Sequence, residues 1–126
     1  MAQESEWTLE LEYFEREDGS KPALEFIRSQ PKKMRAKLYW TLDLLGTFGQ
    51  QLRMPYSEHI DDGIFVLRAK VGHDVTRVFY FFVDSGKAIL THGFYKDTQK
   101  EPRPEIERAK KYRSEYYQRQ KDSKEA

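Results

Sequence analysis

Three β-rich runs stand so close together between Gly63 and Lys100 that only a meander can join them: Gly63-Ile-Phe-Val-Leu-Arg68, Thr76-Arg-Val-Phe-Tyr-Phe-Phe82 and Ile89-Leu-Thr-His-Gly-Phe-Tyr-Lys96. The links, Gly72-His73 and Ser85-Gly86, are turn pairs, and a two-residue connection forces its strands to lie antiparallel side by side. Each run is apolar but interrupted by basic residues. An unpaired charge is too costly to bury, so such a strand needs a wet face or a bound anion.

Strand parity turns this into geometry, because side chains alternate between faces with period two. A turn at Gly72-His73 sets Val71 opposite Asp74 and Arg68 opposite Arg77. A turn at Ser85-Gly86 sets Phe79 opposite His92 and Val75 opposite Lys96. Arg68, Lys70, Arg77, His92 and Lys96 then share one face with Phe79, Phe81 and Phe94, an aromatic floor carrying cations. Phe65, Leu67, Val78, Tyr80, Phe82 and Ile89 form the other face, which helices can cover. A bulge, or one residue more in either loop, would scatter the cations.

The flanking sequence supplies those helices. Trp7 to Phe14 alternates as a half-buried strand. Pro22 suits the first position of a short helix carrying Leu24, Phe26 and Ile27. Pro31 opens a longer helix with Met34, Leu38, Leu42 and Leu45 on one face, stopped by Gly46 and Gly49. The pair reads as an αα-hairpin with Lys32, Lys33, Arg35 and Lys37 exposed; cations at that end oppose the helix dipole. After a connector containing Pro55, with a short edge strand near Ser57 to Ile60, Pro102 and Pro104 end the sheet region. A last helix then shows Ile106, Ala109, Tyr112 and Tyr116 to the core. The expectation is one α+β domain over residues 1–126: a small, mostly antiparallel sheet, the αα-hairpin on one face, and a C-terminal helix. Residues 1–5 and 121–126 read as disordered tails.

Composition narrows the chemistry. With no cysteine there is neither disulfide nor thiolate chemistry, and three histidines without ligand spacing give no metal site. No cofactor is expected. No run approaches a membrane span and no export signal opens the chain, so the expected compartment is the cytoplasm. The net charge of +1 is unevenly spread, acid-rich from Met1 to Arg28 and base-rich from Arg103 to Lys121. That leaves room for a polyanion on one side and another partner elsewhere.

Two arginines opposed across a ladder repel unless an anion lies between them. Phosphate fits the guanidinium fork, and exposed rings can stack unpaired bases, which favours single-stranded nucleic acid over a small acid. The competing reading pairs Arg68 and Arg77 with Asp74, Asp61 or Asp62, leaving them to hold the sheet.

These runs, with His92-Gly-Phe-Tyr-Lys96-Asp-Thr98-Gln99-Lys100-Glu-Pro102 and Glu105-Ile-Glu-Arg-Ala109, resemble the phage-derived HigB-like branch of the RelE toxin superfamily from about Leu9 to Tyr117. The resemblance implies a RelE-like fold and an endoribonuclease toxin of a type II toxin–antitoxin pair. Such a toxin cleaves mRNA on the ribosome and is held inactive, as an oligomer, by a helix-turn-helix antitoxin. It also implies site residues: Arg77 and Arg68 as phosphate clamps, Lys96 for charge or proton transfer, His92 as an acid or base, and Lys70, Phe79 and Lys100 against RNA. Lys32, Lys33, Arg35 and Lys37 or the last helix would touch ribosomal RNA. One departure stands out, since Asp97 follows Lys96 where the family carries a second basic residue. The alternative is a catalytically degenerate binding module on the same fold, kept for antitoxin pairing or transcriptional autoregulation.

Overall fold

The computed structural model describes residues 7–84, 86–95 and 102–125. Strand β1 (Glu10–Tyr13) is followed by helices α1 (Pro22–Arg28) and α2 (Lys32–Phe48), then β2 (Ser57–Asp61), β3 (Ile64–Val71), β4 (Asp74–Val83), β5 (Lys87–Tyr95) and α3 (Arg103–Glu125). The five strands form one sheet in the order β1-β5-β4-β3-β2. All neighbours are antiparallel except β1, which runs parallel to β5 at the edge. The fold is thus the α+β arrangement expected, with a mostly antiparallel sheet and helices on both faces.

The first hairpin has the expected register: Val71 pairs with Asp74 and Arg68 with Arg77 around Gly72, whose φ of 61° suits the turn. The second reaches its register by another route. Val83 pairs with Lys87, so the loop spans three residues rather than two, and the ladder then shifts between Phe79–His92 and Tyr80–Leu90. Thr91 is the extra residue of this bulge, and its hydroxyl donates to the Phe79 carbonyl at 3.3 Å. The longer loop and the bulge cancel, so His92 and everything beyond it return to the expected face. Before the bulge the parity is reversed. Ile89 therefore lies opposite Phe81 in the core on the α3 side, not on the face assigned to it from a two-residue turn.

Each sheet face has its own core. Leu67, Ala69, Val78, Tyr80 and Leu90 lie beneath α1 and α2 with Ile27, Leu38 and Leu45. Val66, Phe79, Phe81 and Ile89 lie beneath α3 with Ile106, Ala109 and Tyr116. Fully burying one such side chain contributes about 1.5–3 kcal/mol. Tyr80 is core as its pattern requires; its hydroxyl shares a hydrogen bond with that of Ser57, and burial pushes its pKa up to about 12 despite that bond.

Two sequence expectations change. Gly46 does not stop α2 but lies within it, where a Cβ would come within 2.3 Å of the Trp7 ring. That ring is held down by Nε1 donating to Asp43 at 2.8 Å, and Gly49, with φ 56°, caps the helix. The C-terminal tail is helical to Glu125 rather than disordered from residue 121, with Gln118 donating to Asp122 at 3.0 Å one turn on. Residues 1–5 and Ala126 lie outside the described residues.

Helix α3 is fastened at several points. Tyr112 stacks on Phe14 with centroids 4.9 Å apart. Asp61 meets Lys110 at 2.8 Å and Arg103 at 3.3 Å, and Asp62 meets Arg113 at 2.9 Å. The two aspartates sit at the β2–β3 turn, where Asp62 and Gly63 both have positive φ, as a tight hairpin of this hand requires. The cations beside Asp61 hold its carboxyl below the usual range, Lys110 contributing most. Among the described residues no helix is long and apolar enough to cross a membrane.

Candidate nucleic-acid interface

Among the described residues, α3 covers only part of its sheet face and leaves a cleft near the β3–β4 turn. There β3 presents Arg68 and Lys70, and β4 presents Arg77 directly opposite Arg68. They line a cleft of about 1080 Å³, walled by the segment from Met54 to Tyr56, by Glu58 and Ile60 of β2, and by Lys37 of α2. Arg77 is 5% exposed, sunk at the floor. Arg68 lies against Glu58, Nη2 to Oε2 2.6 Å, and donates through Nη1 to the Met54 sulfur at 3.1 Å. Among the described residues, Lys37, Arg68, Lys70, Arg77 and the Glu58 carboxylate are the charged groups that line this cavity.

The counter-reading finds partial support at Arg68, but from a different acid. Asp61 and Asp62 are engaged by α3, and Asp74 accepts from the Tyr95 hydroxyl at 2.9 Å. Glu58 went unrecognised in the sequence. The β2–β3 register decides it: Glu58 pairs with Val66 and so stands diagonally across from Arg68 on the same face. Lys37 was read only as part of an exposed basic helix face; it lines the cleft, its ammonium 4.3 Å over the Trp40 ring. Lys32 and Lys33 are exposed at the start of α2, and Arg35 turns back to the Gln30 carbonyl.

His92 and Phe79 are on the expected face but not in the cleft. Phe79 is fully buried, its ring stacked on His92 at 5.1 Å and on Phe94 at 5.4 Å. It supports the site from below and has no open ring face for a base. His92 is 3% exposed, with Tyr112 edge-on and the Thr91 hydroxyl 3.1 Å from Nδ1. Its Nε2 faces Glu105 at 3.6 Å without a hydrogen bond. Burial, reinforced by Arg108, lowers its pKa to about 3. An imidazole so held stays neutral at physiological pH, and the acid–base role expected of it does not fit this setting. Of the expected aromatic floor, Phe79 and Phe81 are covered core on the α3 side and Phe94 is half-buried. Lys96, Asp97 and Lys100 lie outside the described residues. Among the described residues no three acidic or histidine side chains gather to hold a metal.

Residues 25–114 match the model of the family described as Phage derived protein Gp49-like (DUF891). The match takes in both strands of the arginine pair, the Met54–Tyr56 wall and the first half of α3. No curated protein matches the chain.

Proposed function

Because the chain belongs to the phage-derived Gp49-like family, itself part of the RelE/HigB-like toxin superfamily, we propose that it is the toxin of a type II toxin–antitoxin pair and cleaves mRNA. The observation that carries this reading is the Arg68–Arg77 pair, opposed across β3 and β4 at the floor of a cationic cleft. Metal-independent cleavage begins when a ribose 2′-oxygen bonds to the adjacent phosphorus. The P–O5′ bond then breaks, leaving a 2′,3′-cyclic phosphate and a 5′-hydroxyl. Extra negative charge builds on the non-bridging oxygens, and two guanidinium groups flanking them stabilise it; one such preorganised donor is typically worth about 10²–10³ in rate. The 2′ proton needs an acceptor within hydrogen-bond reach. Glu58 is the carboxylate that lines the cleft among the described residues, and Arg68 orients it. Lys96, which the resemblance places at the site, would neutralise or protonate the departing 5′-oxygen.

The ribosome is the proposed place of cleavage, with Lys32, Lys33 and Lys37 against ribosomal RNA. A helix-turn-helix antitoxin is the proposed partner in a cytoplasmic complex. A second reading, a binding module without catalysis, draws on the neutral, buried His92 and on the Glu58 carboxylate lying against Arg68. Induction of the chain without its neighbour separates the two. Growth arrest together with new mRNA ends bearing 5′-hydroxyls supports the nuclease. Intact mRNA and unchanged growth would leave the binding module.

A further inference from the structure

One wall of the cleft is made of side chains that neither core uses. Met54 is 58% exposed, Pro55 is exposed and Tyr56 is half-buried. None belongs to the apolar clusters on either side of the sheet. These side chains lie beside the cations that line the cleft. The Met54 sulfur touches the Arg68 guanidinium at 3.1 Å.

The Tyr56 ring is also held in place. Its backbone N–H donates to the Arg53 carbonyl at 3.0 Å, and its carbonyl accepts from the Arg68 N–H at 2.8 Å, so the backbone that carries the ring is tied to β3. Trp40 meets the ring edge-on at 5.6 Å, with the Lys37 ammonium over the indole. A planar group set on Tyr56 and Met54 would therefore have a rigid apolar surface beneath it and cations on two sides. Guanidinium and ammonium groups in the lining suit an anion, as the nucleic-acid reading holds, and the Met54–Tyr56 wall suits an aromatic ring bonded to it. A nucleotide unit combines the two.

We propose that Tyr56 and Met54 form the base-binding subsite of the cleft, holding the nucleobase of a single-stranded polynucleotide next to the phosphate gripped by Arg68 and Arg77. The assignment rests on the nucleic-acid reading above and adds to it where the base goes. Contact through a π-face tolerates any base, so the subsite holds the strand without reading its sequence. The cleft volume of about 1080 Å³ exceeds that of an ordinary small-ligand pocket, which leaves room for the flanking nucleotide.

The test separates base from backbone and binding from cleavage. A fluorescein-labelled single-stranded oligodeoxynucleotide lacks the 2′-hydroxyl and cannot be cut by this route. A matched oligomer of base-less tetrahydrofuran sugars carries the same phosphates. Fluorescence anisotropy should show the full chain binding the base-containing strand about tenfold more tightly, the size of one base–aromatic contact. Tyr56→Ala should remove that preference and leave affinity for the base-less strand unchanged, Tyr56→Phe should keep it, and Met54→Ala should reduce it in part. Arg77→Ala should weaken both strands alike. Equal loss on both strands from Tyr56→Ala, or no loss on either, overturns the subsite. Because neither strand can be cleaved, an inactive nuclease with a base preference keeps the subsite and fails only the catalytic reading. A chain that binds neither strand fails both.

Discussion

Phe79 and Arg77 sit two residues apart on the same face of β4, yet they belong to different parts of the molecule. Phe79 lies under α3, stacked between His92 and Phe94, while Arg77 lies just past the helix at the floor of a cleft among the described residues. One stretch of strand thus supplies both a closed core and a charged site, and the boundary is where α3 stops covering the sheet. The lesson is that an alternating strand has no intrinsic functional face. What covers it decides whether the alternate residues are packing or chemistry.

Substituting each member of this pair tests the division most sharply. Arg77→Ala should lower RNA cleavage by about 10²–10³-fold, as loss of one preorganised charge-stabilising donor does, scored by mRNA ends after induction. A variant as toxic as the parent chain would remove Arg77 from the site. Phe79→Ala should act on stability instead, costing about 3–5 kcal/mol in urea unfolding, the usual toll of emptying a fully buried aromatic position.

The next effect is pH-dependent and lies on the covered side. The folded pKa of His92 is lowered to about 3 from an ordinary 6.5, so the unfolded chain binds a proton first as pH falls. The stabilisation from keeping it neutral is complete above about pH 6.5 and is lost progressively toward pH 3, on the order of 5 kcal/mol over the whole window. Unfolding curves across this range should show the slope, and His92→Phe, which keeps a ring against Phe79, should flatten it. If His92→Phe also abolished cleavage at neutral pH while staying folded, His92 would have to be returned to the catalytic site.

Smaller changes probe the two edges of the boundary. Lys70→Ala should weaken single-stranded RNA binding several-fold and make it less salt-sensitive by about one phosphate contact. Asp61→Asn should weaken the hold on Lys110 and Arg103 and speed amide exchange in the first turns of α3. That exposed carboxyl keeps its depressed pKa only while the cations are near. The contribution is present above the ordinary carboxylate range and fades as pH falls through the lowered value, so Asp61→Asn should matter least in acid. Unchanged exchange at neutral pH would mean that Tyr112 and Ile106 hold the helix without the ion pairs.

Much of the fold was legible because local signals agreed. Pro22 and Pro31 stand at the two helix starts, Gly72-His73 makes a two-residue turn, and Arg68 pairs with Arg77 as parity required. Gly46 was misread because a glycine inside a helix looks like a stop, and only the Trp7 ring against it explains why it is there. The second hairpin reached the right face through two errors that cancel, a loop one residue longer and a bulge at Thr91, neither of which leaves a composition signal. At the site, the cations on β3 and β4 were legible from period two. Glu58 and Tyr56 were not, because they reach the cleft from an edge strand and a connector whose path nothing in their own sequence specifies.

By itself the sequence determined the pairing of β3 with β4, and with it which of their residues share a face, because a two-residue connector and two-fold alternation leave few other registers. Only the tertiary structure decided which part of that face is interior. Burial depends on where α3 lies, and α3 is fastened by Asp61, Asp62 and Phe14, all far from it along the chain. Contacts between such distant residues cannot be read from local periodicity, yet they separate a neutral, buried His92 from an Arg77 that opens onto a cationic cleft.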